Sequence, residues 1–226
     1  MPTVLITGAN RGIGLELVRL FAGEGWGVQA VCRQPDKAKS LKEVQGRVTV
    51  QRADVTDGLR IASLARALSD EPIDILINNA GHLGGRSGFG ETDFDLWLEV
   101  LKVNTLAPLR LAERFADHVE KSERKLIVNI SSLMGSIARS ESGGNYIYRS
   151  SKAAVNKVTA TLAVDLKPRA ITVISVHPGW VSTDMGGPDA PLTPPESAAA
   201  LRALFERIKP TDSGRFFNYD GEELPW

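Results

Sequence analysis

Residues 3–14 read TVLITGANRGIG, a short apolar run that ends in three glycines with the spacing G-x-x-x-G-x-G. A continuous apolar run of this length is typical of a buried strand. Glycine allows the sharp backbone turn that must follow the strand, and residues 12–23 then carry apolar side chains at helical spacing. These residues predict a strand, a glycine-rich turn and a helix in direct succession.

The rest of the chain repeats this alternation of strand and helix. The apolar patterns predict further strands at 27–32, 47–51, 73–77, 126–130, 171–176 and 215–219, and helices at 35–44, 57–68, 92–121, 146–166 and 196–208. A bend is expected at Pro108, because proline lacks the N–H that a helix interior needs. Right-handed crossovers restrict such alternation to doubly wound orders with helices on both faces of a parallel sheet. We therefore expect an α/β single-domain Rossmann fold over residues 1–226, with a doubly wound parallel sheet of about seven strands.

Composition excludes several classes of function. The 226 residues are 42% hydrophobic and 24% charged, which is the balance of a globular chain with a sizeable core. Lys and Arg number 27, as do Asp and Glu, so no global basic field exists for nucleic acid and a charged ligand must be recognised by local groups. The one cysteine, Cys32, excludes an internal disulfide and a thiolate-rich metal site, and it fits a reducing compartment.

Other patterns narrow the expected partners. The first residues lack the pattern of a secretory signal, and no apolar run approaches the ~20 residues of a membrane span. The three histidines show no metal-ligand spacing, and no G-x-S-x-G nucleophile elbow is present. We expect a cytoplasmic protein that acts on a small molecule, with no nucleic acid, membrane or metal as partner.

The glycine-rich turn has features of a phosphate site. A helix N-terminus presents free N–H groups and the positive end of its dipole, although an ordinary strand–helix turn favours glycine equally well. Residues 28–32 contain no acidic residue to hold a ribose 2′-hydroxyl, whereas Arg33 follows directly and Arg11 lies in the turn. Two guanidinium groups suit a 2′-phosphate, which predicts NADP(H) rather than NAD(H). Asp36 is the one nearby residue that argues for NAD(H).

Two later strand ends carry further candidates for a nucleotide site. Asp54 and Val55 follow the third strand, where the carboxylate either accepts the adenine amino group or only caps the next helix. Residues 78–81 read NNAG and end the fourth strand. Their small size leaves room for a nucleotide across the strand ends, although Asn pairs are also common in turns.

A tyrosine and a lysine are predicted to share one helix face. Tyr148 and Lys152 are four residues apart, so their side chains lie on the same side of a helix. A neighbouring ammonium lowers a tyrosine pKa from about 10, which lets the phenol exchange a proton with a carbonyl or an alcohol. Ser131 and Ser132 end the fifth strand, either as turn formers or as a hydroxyl beside Tyr148. Asn104 is unfavourable inside a helix, and it either bonds the local backbone or holds a water beside Lys152.

The order and spacing of these motifs resemble the short-chain dehydrogenase/reductase family over essentially the whole chain. The matching segments are TGANRGIG at 7–14, Asp54-Val55, NNAG at 78–81, VNTLAP at 103–108, VNISS at 128–132, YRSSK at 148–152 and PGWVST at 178–183. Within the family, HPGWVSTDMGG at 177–187 and FFNYDGEELPW at 216–226 resemble the C-factor and sniffer-like carbonyl reductases.

The resemblance implies an NADPH-dependent oxidoreductase that reversibly reduces a small carbonyl compound to an alcohol. Tyr148 would act as general acid and base, Lys152 would lower its pKa and bond the nicotinamide ribose, Ser132 would polarise the carbonyl, and Asn104 would hold a proton-relay water. The positions implied for the cofactor are Gly8, Asn10, Arg11, Gly12, Ile13, Gly14, Arg33, Asp54, Val55, Asn79, Ala80, Gly81, Ile130, Tyr148, Lys152, Pro178, Gly179, Val181 and Thr183.

One spacing departs from the family pattern. Ser132 precedes Tyr148 by 16 residues, where many members have about 13. The extra residues fall in the polar segment RSESGGN at 139–145, which can absorb an insertion. Ser132 therefore stays the predicted residue, with Ser131 as the alternative.

The resemblance leaves the substrate and the assembly open. Loops at about 84–90 and 184–195 and the C-terminal tail are expected to cover the substrate, and the long helices 92–121 and 146–167 are expected to form a homodimer or homotetramer. An alternative function is a dinucleotide-binding signalling or regulatory protein of C-factor type whose role does not require turnover, because a fold does not determine a function.

Overall fold

The computed structural model describes residues 1–226 and contains one sheet of seven parallel strands. The strands are β1 (Thr3–Thr7), β2 (Gly27–Cys32), β3 (Val48–Arg52), β4 (Ile75–Asn78), β5 (Leu126–Ile130), β6 (Thr172–His177) and β7 (Phe216–Asn218). Their order across the sheet is β3-β2-β1-β4-β5-β6-β7, which confirms the expected doubly wound arrangement. The chain runs outwards from β1 to β3 and then returns to place β4 beside β1. This reversal creates a topological switch point, the place where ligands bind in open sheets of this kind.

Helices cover both faces of the sheet. They are α1 (Gly12–Gly23), α2 (Lys39–Lys42), α3 (Gly58–Ala67), α4 (Phe94–Leu101), α5 (Ala107–Glu120), α6 (Tyr146–Asp165) and α7 (Pro194–Arg207). Val4 and Ile6 of β1 belong to a core cluster with α1 and α7, whereas Leu5 belongs to a second cluster with α3, α5 and α6. The strands are apolar on both sides because each side packs against helices. No helix has the length and the apolar composition that crossing a membrane requires.

The predicted helix at 92–121 is interrupted in the structure. A π-helical turn, Lys102–Leu106, separates α4 from α5, and the N–H of Ala107 donates to the carbonyl of Lys102. The irregularity therefore precedes Pro108, so the bend expected at Pro108 itself is wrong by one turn. The physical reason is that Pro108 lies in the first turn of α5, where its missing N–H costs little.

Two other helix boundaries were predicted wrongly. Residues 35–44 form a 3₁₀ turn, Pro35–Lys37, and the short α2, because Ala38 leaves the helical region with φ −90° and ψ 62°. Helix α7 begins at Pro194, not at 196, because Thr193 is its N-cap and forms a capping box with Glu196 that encloses Pro194 and Pro195 in the first turn. The last two residues of the predicted loop 184–195 are thus helical. The remaining boundaries agree to within two residues.

Candidate active site

A cleft of about 430 Å³ opens at the carboxyl ends of the strands, beside the switch point. The predicted site residues that line it are Gly8, Asn10, Arg11, Gly12, Ile13, Gly14, Arg33, Asp54, Val55, Asn79, Ala80, Gly81, Ile130, Tyr148, Lys152, Pro178 and Thr183. Residues from six separate strand ends therefore meet in one concave surface, which is what a ligand site requires.

Four predicted residues lie outside the lining of this cleft. Gly179 lines a second cavity, and Val181 is buried and forms a bridge with Leu192. Ser132 and Asn104 are buried. The cleft is also lined by residues that the sequence did not predict and that flank the motifs, among them Cys32, His82, Asp184 and Met185. Their position next to a strand end or a motif is the signal that points to them.

Glycines in the turn after β1 allow close packing of the turn against α1 and β4. Gly8 has φ +65°, a conformation that L side chains rarely adopt. A Cβ on Gly14 would lie 2.4 Å from the carbonyl oxygen of Gly8, so the helix could not start this close to the turn with a larger residue. The amide Nδ2 of Asn79 donates to the carbonyl of Thr7 at 2.9 Å, which fixes the turn to the end of β4.

The N-terminus of α1 is open to an anion. Its N-cap is Arg11, which has an extended backbone and makes no side-chain cap hydrogen bond. The first N–H groups of a helix without such a cap are free to bind a ligand, and the helix dipole favours a negative one. This end of the cleft therefore suits a phosphate.

The two predicted arginines differ in their partners. Arg33 is exposed at the cleft, and none of the ion pairs in the structure includes it. The Nη1 atom of Arg11 lies 2.6 Å from Oδ2 of Asp184, a residue of the loop after β6. Asp36, the argument for NAD(H), is paired with Arg52 instead, and this hydrogen bond lowers the pKa of its carboxyl. The structure thus leaves no acidic side chain at the end of β2 to receive a ribose hydroxyl.

Tyr148 and Lys152 lie on one face of α6, as predicted, and both are buried. The Nζ atom of Lys152 donates to the carbonyl of Ile130 at 2.8 Å and lies 5.6 Å from the centre of the Tyr148 ring. Burial lowers the pKa of Lys152 to about 8. These contacts place an ammonium beside the phenol at the end of β5.

The expected lowering of the Tyr148 pKa is wrong for this structure. Burial raises the pKa of Tyr148 to about 12, and the opposing hydrogen bond with Ser132 does not compensate. The physical reason is that a buried site disfavours the charged phenolate, while the ammonium lies near the ring and is held by Ile130. Tyr148 is consequently protonated at neutral pH.

The structure distinguishes the two serines at the end of β5. The Oγ atom of Ser131 donates to Oδ1 of Asn156 at 2.6 Å, so this hydroxyl is committed to α6. Ser132 lies near enough to Tyr148 to oppose the rise of the phenol pKa, and its Oγ accepts from the N–H of Met134 at 3.2 Å. Ser132 is therefore the serine that stands beside the phenol.

Asn104 joins three segments from within the π-helical turn. Its Nδ2 donates to the carbonyl of His82 and to Oγ of Ser151, and its Oδ1 accepts from the N–H of His82 at 2.8 Å. The side chain therefore ties the end of β4 to α6, next to Lys152. Turns of the π type are rare and are frequent at functional sites. The water that Asn104 is expected to hold stays a prediction.

Comparison with known proteins agrees with this geometry. The family profile described as short chain dehydrogenase matches residues 2–191. The C-signal protein of Myxococcus xanthus is 39% identical over 155 residues, which cover 69% of this chain and 93% of that protein. The predicted resemblance to C-factor-like proteins is confirmed by this match.

Solved structures match over the full length. The carbonyl reductase Sniffer of D. melanogaster has a TM-score of 0.95 and 33% identity, and the match covers 100% of both chains. The NADPH-bound carbonyl reductase from chicken fatty liver has a TM-score of 0.92 and 32% identity, covering 100% of this chain and 99% of that one. The fold, the arrangement of Ser132, Tyr148 and Lys152 and these matches lead to one assignment: the chain belongs to the short-chain dehydrogenase family.

Proposed function

We propose that this protein reduces the carbonyl group of a small molecule to an alcohol with NADPH as the hydride donor. The observation that carries the proposal is that Tyr148, with Ser132 beside it, and Lys152 lie at one end of a cleft whose other end presents Arg11 and Arg33. One end suits proton transfer and the other suits a phosphorylated nucleotide. Carbonyl reductases among the similar structures support the same reading.

The donor set of the cleft fits NADP(H). The uncapped N-terminus of α1 would hold the pyrophosphate, and Arg33 and Arg11 would hold the 2′-phosphate. Ile130, Lys152, Pro178 and Thr183 line the part of the cleft that would receive the nicotinamide half. Gly179 and Val181, which the resemblance implied for the cofactor, are not part of this lining.

Tyr148 is the general acid in the proposed reaction. When bound, NADPH supplies the hydride that reduces the carbonyl carbon. The Ser132 hydroxyl bonds the carbonyl oxygen and orients it, and Tyr148 donates its phenolic proton to that oxygen. The raised pKa keeps Tyr148 protonated until the oxygen becomes a strong base. The ammonium of Lys152 then stabilises the phenolate that remains.

The substitution Tyr148→Phe tests this proposal. It removes the proton donor and keeps the ring, so we expect turnover with NADPH and an aldehyde to fall by about 10²–10⁴-fold while NADPH binding persists. Tyr146→Phe is the matched control, since Tyr146 lies in the same helix but is exposed. NADPH oxidation measured across a panel of aldehydes and ketones provides the readout. Turnover that survives Tyr148→Phe, or no turnover by the wild type, would refute the proposal.

The cofactor preference has a separate test. Arg33→Ala removes a guanidinium that only the 2′-phosphate of NADPH needs, so the Kd of NADPH should rise by about 10-fold or more and that of NADH should change little. Titration of intrinsic tryptophan fluorescence measures both constants. A wild-type preference for NADH would refute the choice of cofactor but not the reaction.

The match to the C-signal protein favours a second candidate function. Such a protein would bind a dinucleotide and act in signalling or regulation without turnover. It would keep its role when Tyr148 is replaced by Phe. The complete set of Ser132, Tyr148, Lys152 and Asn104 favours the enzyme, because a role without turnover would not require it.

We also propose that residues 1–226 act as one NADP-binding domain in a cytoplasmic homodimer or homotetramer. Phe94 and Leu98 of α4 and Leu106 of the π-helical turn are exposed, whereas Val100 is fully buried. One face of this helix thus packs on the core, and the other offers apolar surface to a second copy. Leu98→Asp should yield monomers in light scattering after gel filtration, and a wild-type monomer would refute this part.

A further inference from the structure

His82 is a polar residue of the cofactor cleft that the proposed reaction does not use. It directly follows the NNAG motif at 78–81 and lines the same cleft as Tyr148 and Lys152. None of residues 84–90, which were expected to cover the substrate, lines that cleft. His82 is exposed, so its imidazole is available to a molecule bound there.

Hydrogen bonds hold the backbone of His82 against α6. The side chain of Asn104 accepts from the N–H of His82 and donates to its carbonyl, both at 2.8 Å. The same amide donates to Oγ of Ser151 at 2.9 Å, and that hydroxyl donates to the carbonyl of Tyr148 at 2.8 Å. Three consecutive hydrogen bonds thus connect His82 to the residue that carries the phenol.

The imidazole of His82 is oriented by the segment that follows it. Its Nδ1 accepts from the N–H of Gly84 at 3.0 Å. Gly84 is buried with φ +75°, and a Cβ on it would lie 2.5 Å from Cγ2 of Ile147, the neighbour of Tyr148 in α6. The backbone of Gly84 therefore packs closely on α6, and its N–H fixes the imidazole next to that helix.

The bond to Gly84 also determines which nitrogen of His82 carries the hydrogen. A ring nitrogen that accepts a hydrogen bond has no hydrogen of its own, so the hydrogen lies on Nε2. His82 forms its hydrogen bonds within the protein through its N–H, its carbonyl and Nδ1. Nε2–H points away from the Gly84 backbone and is left as an oriented donor without a protein partner. Such a donor suits the recognition of a polar atom of a ligand.

We propose that His82 is a specificity-determining residue whose Nε2–H donates a hydrogen bond to a second acceptor on the carbonyl substrate. This inference rests on the proposed function. In that reaction Ser132 and Tyr148 bond the carbonyl oxygen, and the ring of His82 is anchored beside Tyr148. It would therefore meet an oxygen or nitrogen atom close to the carbonyl. A substrate with such an atom gains a hydrogen bond that other carbonyl compounds lack.

Two aldehydes of identical composition test this proposal. Pyridine-2-carbaldehyde has its ring nitrogen beside the carbonyl, whereas pyridine-4-carbaldehyde has its nitrogen at the opposite end of the ring. With wild-type protein saturated with NADPH, we expect kcat/KM to be about 10-fold higher for the 2-isomer. Equal values for the two aldehydes, or a preference for the 4-isomer, would overturn the proposed selection.

Two substitutions at His82 separate the donor from the contact with Gly84. His82→Asn keeps an acceptor near the position of Nδ1 and has no donor at the position of Nε2, so the preference for the 2-isomer should disappear. His82→Gln is the matched control, because its amide N–H lies near the position of Nε2 and should retain part of the preference. The melting temperature of His82→Asn and its Kd for NADPH should match the wild type, because the donor contacts only the substrate.

The outcomes separate this proposal from the proposed function. Turnover of both aldehydes with unchanged kcat/KM values in His82→Asn would refute the role of His82 and leave the carbonyl reductase standing. An equal loss for both aldehydes, or a raised Kd of NADPH, would also refute it, because the ring would then act on the fold or the cofactor. The absence of turnover by the wild type with any carbonyl compound would refute both proposals together.

Discussion

Burial shifts the pKa values of Tyr148 and Lys152, the two central residues of the site, in opposite directions. It raises the pKa of Tyr148 to about 12 and lowers that of Lys152 to about 8, because in both cases the charged form loses its hydration. The phenol is kept as an acid, and the ammonium is kept at a cost in stability. For the proposed reaction, we expect this pair to favour proton transfer from Tyr148 to an alkoxide, since the resulting phenolate and the ammonium stabilise each other.

The cost of burying Lys152 is measurable. Its folded pKa lies below the value of about 10.4 in an unfolded chain, so the full cost is present at pH 7 and disappears as the pH rises from 8 to above 10. We expect Lys152→Met to abolish turnover and to raise the free energy of unfolding at pH 7 by up to about 3 kcal/mol, with a smaller gain at pH 9.5. Lys157→Met, exposed on the same helix, should change neither quantity.

Denaturant titrations of both variants at the two pH values test this expectation. A destabilised Lys152→Met protein at pH 7 would show that the hydrogen bond to Ile130 outweighs the desolvation of the ammonium.

At the scale of elements, the loop after β6 and the turn after β1 are joined across the mouth of the cleft. Arg11 and Asp184 are 173 residues apart in the chain and form an ion pair of 2.6 Å between exposed side chains. Such exposed pairs contribute about 0–1 kcal/mol, so a phosphate that competes for the guanidinium can replace the carboxylate. If Arg11 binds the 2′-phosphate as proposed, we expect Asp184 to compete with that phosphate for the guanidinium and to weaken NADPH binding slightly.

The substitution Asp184→Asn should release Arg11. We expect NADPH to bind up to about 5-fold more tightly, while NADH, which lacks the 2′-phosphate, changes less. Asp189→Asn is the matched control, because Asp189 is exposed in the same loop and forms no ion pair. Fluorescence titration with each nucleotide gives the two constants. Weaker binding of both nucleotides in Asp184→Asn would mean that the pair holds the loop closed over the cofactor.

For the whole molecule, the site depends on the return of the chain that places β4 beside β1. The cleft then lies over the middle of a sheet whose two faces are covered by separate core clusters. Cys32 at the end of β2 is the one thiol in the chain, is buried, and lines the cleft. Burial also raises its pKa, so it reacts slowly with thiol reagents in the folded protein.

Alkylation of Cys32 should therefore report on opening of the whole fold. We expect the rate to fall by roughly 100-fold when NADPH is present at 100 times its Kd, because only the form without ligand opens. Mass spectrometry of the singly alkylated protein follows the rate, and a denatured sample gives the upper limit. A rate that NADPH leaves unchanged would show that Cys32 is alkylated without release of the nucleotide, which would contradict the requirement for opening of the whole fold.

The sequence by itself determined the order of strands and helices, the glycine-rich turn, and the pairing of Tyr148 with Lys152. These features follow from local periodicity and short-range spacing, which tertiary contacts did not override. The T-P-P-E segment at 193–196 is also a local signal, since it marks the start of α7, but the predicted start at 196 did not use it.

Only the tertiary structure decided matters that depend on residues far apart in the chain. It set the direction of the Tyr148 pKa, because desolvation depends on everything that packs around the phenol. It showed that Asn104 forms hydrogen bonds with the backbone of His82 and that Asp36 forms an ion pair with Arg52. It also built a second cavity of about 320 Å³, whose lining includes Leu133 and Leu224, residues 91 apart in the sequence.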